Sequence, residues 1–96
     1  MTSIYHYEVH KSLRAGNGQP ERLVELRSDY YEKPDVAMTQ LNATLTSIKG
    51  ANGEYFTPMP VDRMERYLAE EGVFTNTVFL PDLTIRYLSI TRISAR

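Results

Sequence analysis

The spacing of apolar residues changes period twice along this chain, and that change restricts the fold more than any single motif does. Over residues 4–13, Tyr5, Tyr7 and Val9 fall on one parity and His6, Glu8 and His10 on the other. Such alternation marks a strand with one half-buried face. It resumes over residues 23–31, where Val24, Leu26 and Tyr30 oppose Glu25, Arg27 and Asp29. The polar, glycine-rich stretch 15–20 between them predicts a hairpin with a long mobile loop, open to proteolysis at residues 16–19.

From Pro34 the period lengthens. Proline loses nothing at the first helical position, and Asp35 beside it complements the helix dipole. Met38, Leu41, Leu45 and Ile48 then share one stripe, and Lys49-Gly50 predicts the helix end. Residues 50–60 read as a connector that pins Tyr55 and Phe56 against the core. Val61, Met64 and Leu68 form a second stripe with Gly72 as the stop, while Asp62, Arg66 and Glu70 make a solvated ladder on the outer side. Leu41, Leu45, Met64 and Leu68 are the expected helical half of the core.

Residues 73–80 and 83–93 return to β-branched and aromatic composition, separated by Pro81-Asp82, which suits a type I turn. The order ββααββ predicts an α+β fold, a four-stranded antiparallel sheet of two hairpins with both helices on one face. With 96 residues, the chain is expected to close a single domain over 1–96.

Composition removes several classes of function. The chain has no cysteine, hence no disulfide framework and no thiolate chemistry. Its 11 basic and 12 acidic residues give a net charge of −1, without the basic excess that drives sequence-independent nucleic-acid binding. The residues after Met1 form neither a basic nor an apolar leader, and no run reaches the ~18 apolar residues of a spanning helix. A soluble, cytoplasmic protein with no membrane partner is the expectation. Asn42-Ala43-Thr44 matches a glycosylation sequon, read as chance in such a chain.

Three features bear on chemistry. His6, Glu8 and His10 are of metal-ligating type, but on a strand the two histidines stand about 13 Å apart, too far to share an ion without help from another strand. Gly16-Asn17-Gly18 lacks the third glycine and the helix of a phosphate-binding loop. No serine lies in a nucleophile elbow, and the two histidines sit on the first strand. Catalytic residues, bound metal and cofactors are therefore all expected to be absent.

The last strand is the most informative segment. Ile85, Tyr87 and Ile93 share one parity, and Leu88 and Ile90 share the other with Arg86 and Arg92. A strand apolar on both sides wants cover on both, and two short helices can supply only one. Either a bulge near Tyr87-Leu88 switches the parity, or an interface is formed with Tyr87, Leu88 and Ile90 at its centre and Arg86 and Arg92 at its rim. Seven tyrosines, Tyr30 and Tyr31 among them, add contact area suited to protein interfaces.

The leading expectation is a small non-enzymatic protein-binding domain that presents a sheet face or edge to a protein partner, most simply a second copy of itself. Its size and composition are compatible, by analogy, with the small accessory or inhibitor proteins of bacteria and their phages. The alternatives are a nucleic-acid binder using Arg86, Arg92 and Arg96 with tyrosine stacking, and then a small metal-dependent enzyme at His6 and His10.

Overall fold

Six elements follow one another in the chain: β1 (Thr2–Leu13), β2 (Arg22–Tyr31), α1 (Pro34–Leu45), α2 (Val61–Glu70), β3 (Val73–Phe79) and β4 (Ile85–Ala95). The structure, a computed structural model, describes residues 2–13 and 22–95, so the expected loop at 16–19 lies outside the described residues. The sheet is antiparallel throughout with strand order β2-β1-β4-β3, so each hairpin contributes one central and one edge strand. The α+β fold of two hairpins around two helices is therefore the one the periodicity implies.

Both helices cover the same face. Tyr7 and Val9 of β1 pair with Ile90 and Leu88 of β4, and Phe74 of β3 pairs with Ile90. These side chains meet Ala37, Met38, Leu41 and Leu45 of α1 and Met64 and Leu68 of α2 in one buried cluster. All four expected helical core residues belong to it. Tyr7 is wholly enclosed: its hydroxyl donates to Thr44 Oγ1, the Arg27 guanidinium lies 5.1 Å from its ring centre, and burial raises its pKa.

α1 stops earlier than the apolar stripe suggests. It ends at Leu45 rather than at Lys49, because Thr46 and Ser47 turn their hydroxyls back onto the carbonyls of Asn42 (2.8 Å) and Thr44 (2.6 Å) and compete for the final turn. Ile48 stays against the core from the loop beyond. Lys49 instead bridges to Tyr55, and the reversal between them is made by Gly53 at φ 80°. Of the two connector aromatics, Phe56 is packed against the core while Tyr55 is exposed. Asn42, the sequon residue, clamps the second half of this connector. Its amide accepts from the Met59 N–H (2.8 Å) and donates to the Met59 carbonyl (3.1 Å), tying α1 to the approach to α2.

α2 begins directly after Pro60 and is stopped, as its sequence implies, at Gly72, where φ is 76°. The Gly72 carbonyl then accepts from the Arg92 N–H at 2.8 Å, fastening the helix end to β4.

The β3–β4 reversal is the expected type I turn, with the Leu83 N–H bonded to the Leu80 carbonyl at 3.0 Å. Leu83 follows at φ 67° with an exposed side chain, in the left-handed position of a three-residue hairpin loop where glycine is the usual occupant. The Asp82 carboxylate accepts from both the N–H and the hydroxyl of Thr84, which holds its pKa below the usual carboxylate range.

Two substitutions test this description. Leu45→Ala removes a fully buried side chain and is expected to lower unfolding free energy by about 2–5 kcal/mol in urea denaturation. Leu83→Gly relieves a left-handed leucine and is expected to raise stability by about 0.5–1 kcal/mol after the entropy of the unfolded glycine is counted. A loss on Leu83→Gly would mean that the exposed leucine makes a stabilising contact of its own.

Candidate functional site

With both helices stacked on one face, neither helix covers the other, open face of the sheet. Residues directly opposite in an antiparallel pair share a face, so the pairing identifies what lies there. The rungs run Leu23–Ser12–Ile85–Phe79, then Glu25–His10–Tyr87–Thr77, Ser28–Glu8–Ser89–Thr75, Tyr30–His6–Thr91–Val73, and finally Ile4–Ile93. Apolar residues occupy the two ends of this face and polar residues form a belt between them. Phe79 is 70% exposed, Tyr30 62% and Leu23 61%. Among the described residues of the four strands, the open face carries two carboxylates and two imidazoles but no lysine or arginine.

The belt is ordered around Glu8. His6 Nδ1 lies 3.2 Å from Glu8 Oε1, and His6 Nε2 shares a 2.7 Å hydrogen bond with Ser28 Oγ, reached diagonally on β2 from the neighbouring rung. Tyr30 stacks flat on the His6 ring, with centroids 4.1 Å apart and 8° between planes. Both nitrogens and one face of His6 are thus engaged. On the other side His10 Nε2 stands 3.7 Å from Glu8 Oε2, outside good hydrogen-bond range.

Glu25 reaches the belt through an irregularity. The β1–β2 register shifts between Val9, which pairs with Arg27, and His10, which pairs with Glu25, so Leu26 is the extra residue of a β-bulge. An unbroken register would have set Leu26 opposite His10. The bulge also corrects the expected parity of β2: Tyr30 lies on the open face, whereas Val24 pairs with Lys11 on the helix-facing side. Beyond the bulge, Arg27 and Asp29 form a 2.9 Å ion pair on the helix side, and that bond raises the arginine pKa.

The residues expected at an interface separate. Leu88 and Ile90 are 0% exposed beneath the helices, so they belong to the core and not to an accessible contact. Arg86 and Arg92 share their side of β4; Arg86 donates to Thr84 Oγ1 at 3.2 Å, and Arg92 reaches the Ala69 carbonyl at 3.4 Å. Of the five, Tyr87 alone faces the open side. The β1–β4 pairing continues from Thr2↔Ala95 to Ser12↔Ile85 with no shift, so no bulge switches parity near Tyr87 and Leu88. Tyrosine and arginines of β4 consequently face opposite ways and do not build one stacking surface for a nucleic acid; Arg96 lies outside the described residues.

Around α2, open clefts are lined by Arg63, Tyr67 and Glu71 with Phe74 and Asn76, and by Asp62, Arg66 and Glu70. Those charges are the solvated side of an amphipathic helix, spread along its length without converging on a point. Among the described residues no helix is long and apolar enough to cross a membrane. Compared with family models, curated proteins and solved structures, the chain matches none of them.

Proposed function

We propose that this is a small protein-binding domain that docks protein on the open face of its sheet, with a second copy of the same chain as the simplest occupant. The observation that carries this reading is the exposure of Phe79, Leu23 and Tyr30 on a sheet face that neither helix covers. Sheets pack face to face at about 10 Å when their facing side chains are apolar enough to exclude water. Here the apolar residues at both ends of the face, Leu23, Ile85 and Phe79 at one and Tyr30, Val73, Ile4 and Ile93 at the other, supply that character.

The symmetry of the face suits self-association. A two-fold axis lying in the contact plane sets apolar ends against apolar ends and belt against belt, as an isologous interface requires. Four strands about 4.8 Å apart and some nine residues long give a flat footprint of roughly 500 Å². With side-chain relief, two copies bury close to the ~1,200 Å² at which specific interfaces begin, so a contact of moderate affinity is expected. The non-enzymatic part of this reading rests on the sequence, in which no serine lies in a nucleophile elbow; on the open face Ser28 Oγ does meet His6 Nε2 at 2.7 Å, but Tyr30 stacks flat on that imidazole.

Light scattering is expected to give a solution mass above 11.0 kDa for the parent chain. Phe79→Glu, which places a charge at an exposed apolar corner, is expected to return it to the monomer with an unchanged circular-dichroism spectrum. Leu88→Glu, in contrast, is expected to unfold the chain, because it buries a charge in the core. A parent that stays monomeric at high concentration, or a Phe79→Glu variant with unchanged mass, would overturn self-association through this face.

A further inference from the structure

The ligand-type side chains of the belt do not form the set that the spacing of the two histidines suggests. Glu8, His10 and Glu25 each offer a ligand atom, and these atoms all lie within 4.8 Å of one another. His6 is not among them, since its ring is committed to Glu8, Ser28 and Tyr30. From this arrangement we propose that Glu8, His10 and Glu25 bind one divalent transition-metal ion of the zinc type, with His6 positioning Glu8.

Four features of the site support this assignment. First, the separation of Glu8 Oε2 and His10 Nε2, 3.7 Å, is too long for a good hydrogen bond. Ligands of one ion at bond lengths of ~2.1 Å stand about 3.0–3.4 Å apart, so the pair needs only a small approach to clasp a cation. Second, the like-charged carboxylates of Glu8 and Glu25 converge on a face whose described strand residues include no lysine or arginine, so no permanently charged cation of that face offsets them. A doubly charged ion neutralises both, and the imidazole favours zinc, cobalt or nickel over magnesium and calcium. Third, Glu25 stands opposite His10 only because of the bulge at Leu26, a device that re-aims one side chain at the expense of ladder regularity. Finally, His6 fixes the Glu8 carboxylate from behind, in the way that outer groups orient metal ligands. Glu25 is exposed and free to swing inward, and three protein ligands leave the remaining positions to water.

The site lies within one chain and does not depend on the docking reading, so the two fail separately. Tag-free protein is titrated with zinc chloride by calorimetry, and its melting temperature is followed with and without zinc. Phe79→Glu is run in parallel so that any association is removed from the result. The expected outcome for both is one saturable zinc per chain and a zinc-dependent rise in melting temperature, with magnesium chloride inert. Glu8→Gln and His10→Gln are expected to abolish binding. Glu25→Gln should weaken it at least tenfold, and His6→Gln should weaken it by less than Glu25→Gln does. All four side chains are on the open face, and circular dichroism checks that each variant folds. Absence of saturable binding in the parent overturns the proposal. So does retention of full affinity in Glu25→Gln with loss in His6→Gln, which would assign the ion to β1 alone.

Discussion

Everything else in the molecule depends on the pairing of β1 with β4. These strands come from opposite ends of the sequence, and Ser12 Oγ accepts from the Ile85 N–H across 73 positions of chain. The pairing runs unbroken from Thr2↔Ala95 to Ser12↔Ile85, and because side chains alternate, its register decides which residues of both strands face the helices. A slip of one residue would carry Leu88 and Ile90 to water and bring Tyr87 and Ser89 beneath α1. The burial of Tyr7, Val9, Leu88 and Ile90 as one layer makes that slip prohibitive, so the core and the open face are fixed by the same event. Such a non-local pairing must close most of the chain into a loop before it is rewarded, which favours hairpins and helices forming ahead of it.

How much of this could be read from the sequence follows from the range of the interactions involved. Strand alternation and helical stripes are local, and they correctly assign all six elements, the turn at Pro81-Asp82, the stop at Gly72 and the core positions Leu41, Leu45, Met64 and Leu68. The premature end of α1 was less legible, because hydroxyl competition at Thr46 and Ser47 opposes an apolar stripe that continues to Ile48. The choice of face on β4 was not local at all. Both parities are apolar, and only the pairing of Ile90 with Tyr7 and Phe74 under the helices separates core from surface.

The candidate site shows the same division more sharply. His6, Glu8 and His10 stand out in the sequence as a ligand-type run, and the objection to them was distance along a strand. Two facts invisible in the sequence change their meaning. Ser28 and Tyr30 occupy His6, and Leu26 bulges so that Glu25 lands opposite His10. A bulge moves one residue in one strand and leaves no clear trace in hydrophobic periodicity, since Val24, Leu26 and Tyr30 still look like a single apolar row. Only the folded chain separates Leu26 from that row, by leaving it exposed.

The polar belt also limits what the open face can do. A contact made across the whole face would bury Glu8, whose neighbours are the two imidazoles, and Glu25, with no lysine or arginine beside them among the described strand residues, and burying carboxylates without a full counter-charge is strongly unfavourable. The belt must therefore stay hydrated inside such a contact, or be neutralised within it. The apolar rungs at each end can meet a partner while water remains between them, which fits a wet, moderate interface better than an obligate one. A divalent cation held by Glu8, His10 and Glu25 removes the same penalty by cancelling both charges where they stand. On these two proposals docking and metal binding would be coupled in sign: a cation that neutralises the belt would lower the desolvation that a partner must overcome, and by reciprocity a partner that covers the belt would raise its affinity for the cation.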